Sequence, residues 1–294
     1  MSDFRMPEPV DGSVLIDVDT AGLGGWDVLG AYRLDVEFPC VIRGEGVGRA
    51  PNGRRVYFGE RSLIPFGAWA ERTIVPVAEV WDVPDNVDDK LAITMAIAGI
   101  GALVPLESAK VQSGESVLVL GATGTIGQLA LQMARLMGAG RVVAASRSEA
   151  ALARLTERGI ADDIVVMGRG DDVAALKEAA GEGFDVVFDL VCGPPMQAAL
   201  KATRWGARIV TVGTGAGREI NINAGDLLFR MLTVVGTGQR PPADREAIWR
   251  RLLAMAREHR IEVDYADYDF NDIGAAWAAQ QAGVHAKITA RVRG

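Results

Sequence analysis

The sequence predicts an α/β protein in which a doubly wound parallel sheet is combined with a smaller, irregular β domain. Three observations support this prediction. A strand, a glycine-rich turn and a helix follow one another between residues 116 and 137, short apolar strands alternate with helices up to residue 239, and short strands with turns occupy residues 1–84. Alternating strands and helices indicate a parallel sheet, because consecutive parallel strands need a crossover connection, usually a helix.

The first strand–turn–helix unit begins with the short apolar run of residues 117–120. Apolar residues then recur at helical spacing over residues 126–137, which predicts a helix. This helix ends at Gly138 and Gly140, since glycine supplies the terminating backbone conformation. Residues 141–145 predict a second buried strand, so the whole stretch makes one βαβ unit.

The turn of this unit, residues 121–127, has the sequence Gly-Ala-Thr-Gly-Thr-Ile-Gly. With Ala122 in the first glycine position, it fits the small-x-Gly-x-x-Gly fingerprint of Rossmann-type dinucleotide sites. There Gly124 lets the pyrophosphate approach the backbone, Gly127 lets helix and strand pack closely, and the helix N-terminus offers free N–H groups. A tight turn without a nucleotide is the alternative. The predicted cofactor contacts are Gly121, Ala122, Thr123, Gly124, Thr125, Ile126 and Gly127.

The residues after the second strand indicate which dinucleotide is bound. Selection of NAD usually relies on an acidic residue at this position, whereas NADP needs a cation and donors for its 2′-phosphate. This chain has Ser146, Arg147 and Ser148 there, which suit a phosphate. We therefore predict NADPH, with contacts from Ser146 and Arg147. The alternative is that Ser148 only caps the next helix and Arg147 is solvated.

The rest of the central region continues the same alternation. Predicted strands cover residues 164–166, 186–191, 208–212 and 232–235, and predicted helices cover residues 172–180 and 196–203. Ligands of open parallel sheets bind beyond the carboxyl ends of the strands. We therefore predict further cofactor contacts there, although ordinary tight connections are the alternative: Val191, Gly213, Thr214, Thr237 and Gly238.

The two ends of the chain are predicted to form the smaller β domain together. Short strands are predicted over residues 13–19, 43–47, 54–58 and 71–77, and the C-terminal part has helices over residues 244–259 and 273–281 and a strand over residues 287–292. That last strand is too isolated to join the parallel sheet. We therefore expect it to return to the N-terminal domain, giving domains of residues 1–92 with 240–294 and residues 93–239.

Composition and charge narrow the function classes. A net charge of −7 and a pI near 5.1 argue against a nucleic-acid partner or an anionic membrane surface. The cysteines, Cys40 and Cys192, suggest neither a disulfide framework nor a structural zinc site. The uncharged run of residues 91–106 is short for a membrane span, so we expect a buried helix. The N-terminus lacks the apolar core of a secretory signal, and a cytoplasmic enzyme is expected.

Several segments together resemble the medium-chain dehydrogenase/reductase superfamily, and within it the zinc-free, quinone oxidoreductase-like branch. The resemblance lies in the turn at residues 121–127 with Gln128 after it, in FDVVFDLVCG at residues 184–193 and in ARIVTVG at residues 207–213. Weaker similarities occur at residues 66–76, 83–89 and 286–288. The resemblance implies a GroES-like N-terminal domain, a Rossmann domain and NADPH as cofactor.

Departures from the zinc-dependent members of this superfamily predict that no metal is bound. Those members take ligands from a Cys-Gly-Ser-Asp-like segment and a Gly-His-Glu segment. Here Gly24 stands at the cysteine position and Gly44 at the histidine position. The two histidines, His259 and His285, both lie late in the chain, so the three protein ligands of a catalytic zinc cannot be assembled.

Without a metal, the expected reaction is hydride transfer to a quinone or an α,β-unsaturated carbonyl, because hydrogen-bond donors alone can stabilise the developing charge. By the resemblance, Tyr32 is the candidate catalytic donor, although a packing role is the alternative. A relative that binds NADPH without catalysis is the other functional interpretation. The apolar strand at residues 232–235 is expected at the sheet edge, which predicts a homodimer.

Overall fold

The computed structural model describes residues 4–30, 38–59, 61–237 and 240–293. The strands are β1 Ser13–Leu23, β2 Glu45–Arg49, β3 Arg55–Phe58, β4 Arg72–Pro76, β5 Val80–Asp82, β6 Ser116–Leu120, β7 Arg141–Ser146, β8 Asp163–Val166, β9 Phe184–Asp189, β10 Thr203–Thr211, β11 Thr233–Gly236, β12 Tyr265–Asp269 and β13 Lys287–Arg291. The helices are α1 Gly25–Leu29, α2 Asp89–Met95, α3 Ile97–Ala109, α4 Thr125–Leu136, α5 Glu149–Glu157, α6 Asp172–Ala180, α7 Gly193–Leu200, α8 Ala224–Arg230, α9 Pro242–His259 and α10 Ile273–Ala282. A short 3₁₀ helix covers Val77–Glu79.

The chain divides into two compact units. One contains Met1–Ile100 with Arg240–Gly294, and the other contains Gly101–Gln239. The domain boundary expected after residue 92 therefore lies eight residues before the boundary between the units. This difference falls within the helical stretch formed by α2 and α3, where no turn-forming segment marks a boundary in the sequence.

The unit with both chain ends is built on a mostly antiparallel sheet, in which β12 pairs in parallel with β13. Its strand order is β12-β13-β1-β2-β3-β5, with β4 paired to β1. The C-terminal strand β13 pairs with β1, Leu23 opposite Ile288, so the expected return of the last strand to this domain is confirmed. Strand β1 buries one face against α10, and the apolar core between them includes Ile16, Val18 and Ala276. Burial of these side chains supplies the main stabilisation of the unit.

The other unit is a parallel sheet with the order β11-β10-β9-β6-β7-β8. This is the doubly wound order, in which the chain starts at β6, builds outward to β8, and then returns to build from β9 to β11. The predicted fold class is confirmed. The order reverses between β6 and β9, so their carboxyl ends form the topological switch point at which ligands of such sheets bind.

The helical stretch Asp89–Ala109 is long and apolar enough to cross a membrane by length and composition alone. However, 67% of its most apolar 18-residue window is buried inside the protein. It consists of α2 and α3, with Pro105 inside α3. Such burial is also typical of a core helix in a soluble domain.

Several predicted boundaries are wrong for identifiable reasons. Strand β9 ends at Asp189 and not at residue 191, because the Asp189 carboxylate accepts hydrogen bonds from the backbone N–H groups of Val191 and Cys192 and turns the chain. Helix α7 begins at Gly193, three residues earlier than predicted, with two prolines in its first turn. Strand β1 extends to Leu23, beyond a register shift that interrupts its alternating pattern.

Candidate cofactor site

The glycine turn between β6 and α4 has the geometry that the fingerprint requires. Gly121 has a φ of +79°, a conformation that suits glycine, so the tight turn begins one residue before the first fingerprint position, Ala122. A Cβ at Gly127 would lie 2.5 Å from the Gly121 carbonyl oxygen. Helix α4 can therefore approach β6 this closely only because residue 127 has no side chain.

Gly124 has a different environment. Its nearest neighbour for an added Cβ is the carbonyl oxygen of Gly121 at 3.7 Å, so the space above its backbone is open. Gly124 is also the N-cap of α4 and carries no side chain to accept hydrogen bonds from the first N–H groups of the helix. Open space beside free N–H groups at the positive end of a helix suits a pyrophosphate.

Two hydrogen bonds hold the turn in this form. Gln128 is 1% exposed, and its Nε2 donates a hydrogen bond of 3.0 Å to the Thr123 carbonyl oxygen. The Thr123 hydroxyl lies 2.9 Å from the Ser146 hydroxyl at the end of β7. The turn and the end of β7 are therefore linked directly, and the structure brings the predicted residues Thr123 and Ser146 together.

Arg147 follows β7 and is exposed. Within the part of the chain that the structure describes, its guanidinium has no hydrogen-bond or ion-pair partner, so its donors are available to a ligand. The next residue, Ser148, accepts a hydrogen bond of 3.3 Å from the Ala151 N–H and caps α5. Ser148 therefore has the capping role that sequence reasoning kept as an alternative.

The predicted residues after β9 and β10 lie beside the same switch point. The N–H of Ala216 donates to the Val191 carbonyl at 2.7 Å, which ties the loop after β10 to the loop after β9. A Cβ at Gly213 would lie 2.3 Å from the carbonyl oxygen of Leu190. Thr214 lies in the same loop. The glycine turn, Val191, Gly213 and Thr214 thus line the carboxyl ends of three neighbouring strands, β6, β9 and β10.

Two predicted site residues, Tyr32 and Gly238, lie outside the described residues. Thr237 follows β11 and is exposed. Strand β11 is three positions from β6 in the sheet order, which places Thr237 at about 14 Å from the glycine turn at the ordinary strand spacing. The roles of these three residues stay predictions.

Sequence reasoning missed Asp189 at the centre of the switch point. Its side chain is completely buried, Oδ1 accepts N–H bonds from Val191 at 3.0 Å and Cys192 at 2.8 Å, and Oδ2 has no hydrogen-bond partner among the described residues. Burial raises the pKa of this carboxyl, which the two N–H bonds oppose. The available signal was an acidic residue at the end of an apolar strand, with Cys192 and Gly193 beginning three residues later.

The antiparallel unit contains a buried polar cluster close to β1. Asp27 is 6% exposed and joins two segments, since Oδ2 accepts from the Gly24 N–H at 2.9 Å and Oδ1 from the Gly44 N–H at 3.1 Å. Burial raises the pKa of the Asp27 carboxyl, although both N–H bonds and the nearby Lys287 charge lower it. The Asp27 carboxylate therefore fixes the spacing between residues 24 and 44.

Beside it, Lys287 and Glu45 form a buried ion pair that sequence reasoning also missed. The Lys287 Nζ lies 2.5 Å from Glu45 Oε1, and both side chains are 3% exposed. Lys287 also donates to the Leu23 carbonyl at 3.3 Å, and the Tyr57 hydroxyl donates to Glu45 Oε2 at 2.8 Å. The pair thus connects β1, β2, β3 and β13.

Comparison with known proteins agrees with this geometry. Residues 125–254 match the zinc-binding dehydrogenase family. Quinone oxidoreductase-like protein 2 of Mus musculus is 28% identical over 246 residues, which cover 78% of this chain and 69% of that protein. Acryloyl-coenzyme A reductase of Metallosphaera sedula is 27% identical over 281 residues, which cover 83% of this chain and 82% of that protein.

A solved structure shows the same architecture. The quinone oxidoreductase of Thermus thermophilus, determined also in complex with NADPH, aligns with a TM-score of 0.79 and 27% identity over 99% of this chain and 95% of that one. These matches confirm the resemblance to the medium-chain dehydrogenase/reductase superfamily and, within it, to the quinone oxidoreductase-like proteins. The matches to the related proteins of Rattus norvegicus and Nematostella vectensis span 57% and 64% of those proteins, less than two thirds.

Similarity to a superfamily with zinc-binding members raises the question of a metal, and the described residues at the positions of its usual ligands do not fit one. Gly44, at the position of a metal-binding histidine, has a φ of +46°, and a Cβ there would lie 2.5 Å from the Gly22 carbonyl oxygen. A side chain at residue 44 would therefore displace backbone. Across residues 4–30, 38–59, 61–237 and 240–293, no three His, Cys, Asp or Glu side chains are grouped to hold a metal ion.

Proposed function

We propose that this chain is an NADPH-dependent oxidoreductase that transfers hydride to a quinone or an α,β-unsaturated carbonyl without a metal ion. The observation that carries the proposal is the open space at Gly124, which lies at the N-terminus of α4 and next to the switch point. This space has the position and the donors that a dinucleotide pyrophosphate requires.

The chain's own residues divide the binding of NADPH between them. The free N–H groups of α4 and the bare backbone at Gly124 receive the pyrophosphate, and Arg147 with Ser146 receives the 2′-phosphate. Val191, Gly213 and Thr214 lie beside the switch point toward the nicotinamide end. When bound, NADPH supplies the hydride. The thermophilic quinone oxidoreductase solved with NADPH supports this choice of cofactor.

The substrate class follows from the chemistry of the residues. Among the described residues, no group of His, Cys, Asp and Glu side chains suits a metal Lewis acid, and the backbone at Gly44 leaves no room for a ligand side chain. Hydride addition to a conjugated carbonyl or a quinone forms an enolate or phenolate, whose charge hydrogen-bond donors can stabilise. The names of two relatives refer to quinones and to acryloyl-coenzyme A, which are both conjugated carbonyl compounds. Tyr32 is the proposed donor.

The proposed function is tested by NADPH titration followed by turnover measurements. Calorimetry with NADPH and NADH comes first, and oxidation of NADPH is then followed at saturating cofactor with quinones, enones and enoyl thioesters. NADPH binding with turnover of one of these classes supports the proposal. Binding without turnover across the panel favours the alternative of a non-catalytic NADPH-binding relative. A chain that binds neither dinucleotide contradicts both interpretations.

We expect Arg147→Asp to weaken NADPH binding by about 2 kcal/mol or more, because a charge-assisted hydrogen bond contributes about 1.5–3 kcal/mol and the new carboxylate repels the 2′-phosphate. NADH binding should change little, since NADH lacks this phosphate. Calorimetric dissociation constants for both cofactors measure the effect. Arg147→Gln removes the charge without reversing it and should show a smaller loss. Equal losses for NADPH and NADH would exclude this role of Arg147.

We also propose that two copies of the chain associate through the edge strand β11. Strand β11 lies at the end of the sheet order, and α8 nearby exposes large apolar side chains. Leu228 is 72% exposed, Phe229 83% and Val234 41%. Unpaired edges and apolar patches of this kind are normally covered. Light scattering should show a dimer that Phe229→Ser weakens, and a monomer at all concentrations would remove the proposal.

A further inference from the structure

The loop after β8 places a second arginine close to the end of β7. The N–H of Met167 donates to the Ser146 carbonyl at 2.8 Å, which continues the pairing of β7 and β8 beyond the sheet. Arg169 follows two residues later, and its Nη1 lies 2.7 Å from Oε2 of Glu149. Glu149 is the first residue of α5, two positions after Arg147. The guanidinium of Arg169 therefore lies against the segment that holds Arg147.

The contact between Arg169 and Glu149 is a weak one. The two side chains are 62% and 59% exposed, and exposed ion pairs of this kind contribute little to stability. Neither residue is fixed by other contacts among the described residues. The space beside the backbone on both sides of Arg169 is open, since Gly168 and Gly170 have no atom within 4 Å of an added Cβ.

The neighbouring carboxylates of this loop are already occupied by backbone groups. Asp172 accepts a hydrogen bond of 2.7 Å from the Gly168 N–H, and Asp171 accepts one of 3.0 Å from the Ala174 N–H. Glu149, in contrast, is the carboxylate that pairs with the Arg169 guanidinium. A phosphate monoester at Arg147 would attract that guanidinium more strongly than one exposed carboxylate does, because it carries nearly two negative charges and three acceptor oxygens.

We propose that Arg169 is a second determinant of NADPH specificity, and that it exchanges its ion pair with Glu149 for the 2′-phosphate when the cofactor binds. The inference rests on the proposed NADPH function. It adds Arg169 as a second phosphate-binding residue and Glu149 as the counter-ion that competes for it. In the free protein Glu149 holds Arg169 near the site. In the complex Arg147 and Arg169 both bind the 2′-phosphate, and the Glu149 carboxylate is released to solvent.

The exchange predicts opposite effects for the two partners. Arg169→Gln should weaken NADPH binding about tenfold, the value of one charge-assisted hydrogen bond of moderate strength, and leave NADH binding within about twofold. Glu149→Gln should strengthen NADPH binding about threefold, because Arg169 no longer has to leave a partner. In the double variant the gain from Glu149→Gln should disappear.

Calorimetry with 2′,5′-ADP and 5′-AMP, in addition to the dinucleotides, tests the exchange without any catalytic step. Arg204→Gln is the matched control, since it removes one positive charge beside Asp185 at the opposite, amino end of β9. It should leave the preference for 2′,5′-ADP unchanged. If Arg169→Gln leaves the preference unchanged, the inference is overturned while the NADPH function stands.

Three further outcomes decide the exchange. If Glu149→Gln strengthens binding equally with and without Arg169, Glu149 acts by direct repulsion of the phosphate, and the exchange is overturned. If the parent protein binds neither 2′,5′-ADP nor NADPH, the proposed function fails and this inference fails with it. Loss of the Glu149→Gln gain in the double variant, together with unchanged NADH binding, supports the exchange.

Discussion

Replacing Lys287 by methionine is expected to destabilise the antiparallel unit by about 3–5 kcal/mol, because it leaves the Glu45 carboxylate buried without its cation. Both side chains are 3% exposed, so water cannot reach the abandoned charge. Methionine has a similar length and keeps the apolar packing of the lysine stem. The effect should appear as a lower midpoint in urea denaturation followed by tryptophan fluorescence, because Trp81 and Trp249 pack on Tyr57, the other partner of Glu45.

The double variant Glu45→Gln/Lys287→Met separates the loss of charge balance from loss of packing. Glutamine at residue 45 can still accept the Tyr57 hydrogen bond, and it carries no charge that needs the lysine. It should therefore recover most of the lost stability, since neutral replacements of whole buried pairs are well tolerated. A double variant as unstable as Lys287→Met alone would show that packing, and not the unpaired charge, causes the loss.

The parallel sheet could be predicted from the sequence because its strands are buried on both faces. Such strands are continuous apolar runs, as in Val117–Leu120, and they stand out between glycines and polar helices. The antiparallel unit was harder to predict. Strand β5 has three residues, and β1 carries a register shift between Val18 and Thr20 that breaks the two-residue period. Their pairing depends on neighbours that local sequence does not show.

The same distinction applies to the candidate site. The glycine turn could be recognised because a local backbone shape demands particular residue types at fixed spacing. The Glu45–Lys287 pair joins residues 242 positions apart, and no local pattern connects them. Arg169 and Glu149 are 20 positions apart and meet only because β7 and β8 are neighbours in the sheet. Contacts that the topology creates need the structure.

Gly124→Val is expected to weaken binding of NADPH and NADH alike by a large factor while the protein stays folded. Gly124 has φ −76° and ψ 165°, an extended conformation that valine adopts readily, and the nearest atom to an added Cβ is 3.7 Å away. The new side chain therefore occupies the space reserved for the pyrophosphate. We expect both dissociation constants to rise about a hundredfold or more, or about 2.8 kcal/mol, in calorimetry, with little change in Tm.

Gly127→Ala provides the contrast that makes this result specific. An added Cβ at residue 127 would lie 2.5 Å from the Gly121 carbonyl oxygen and 2.6 Å from the Ala122 Cα, so α4 must move away from β6. Overpacking of this kind costs about 1–3 kcal/mol, and Gly127→Ala should lower Tm. Gly124 is thus needed for ligand binding, and Gly127 is needed for the packing of α4 against β6. Gly124→Val with unchanged affinity for both dinucleotides would mean that the pyrophosphate does not cross this turn, and the proposed cofactor site would be wrong.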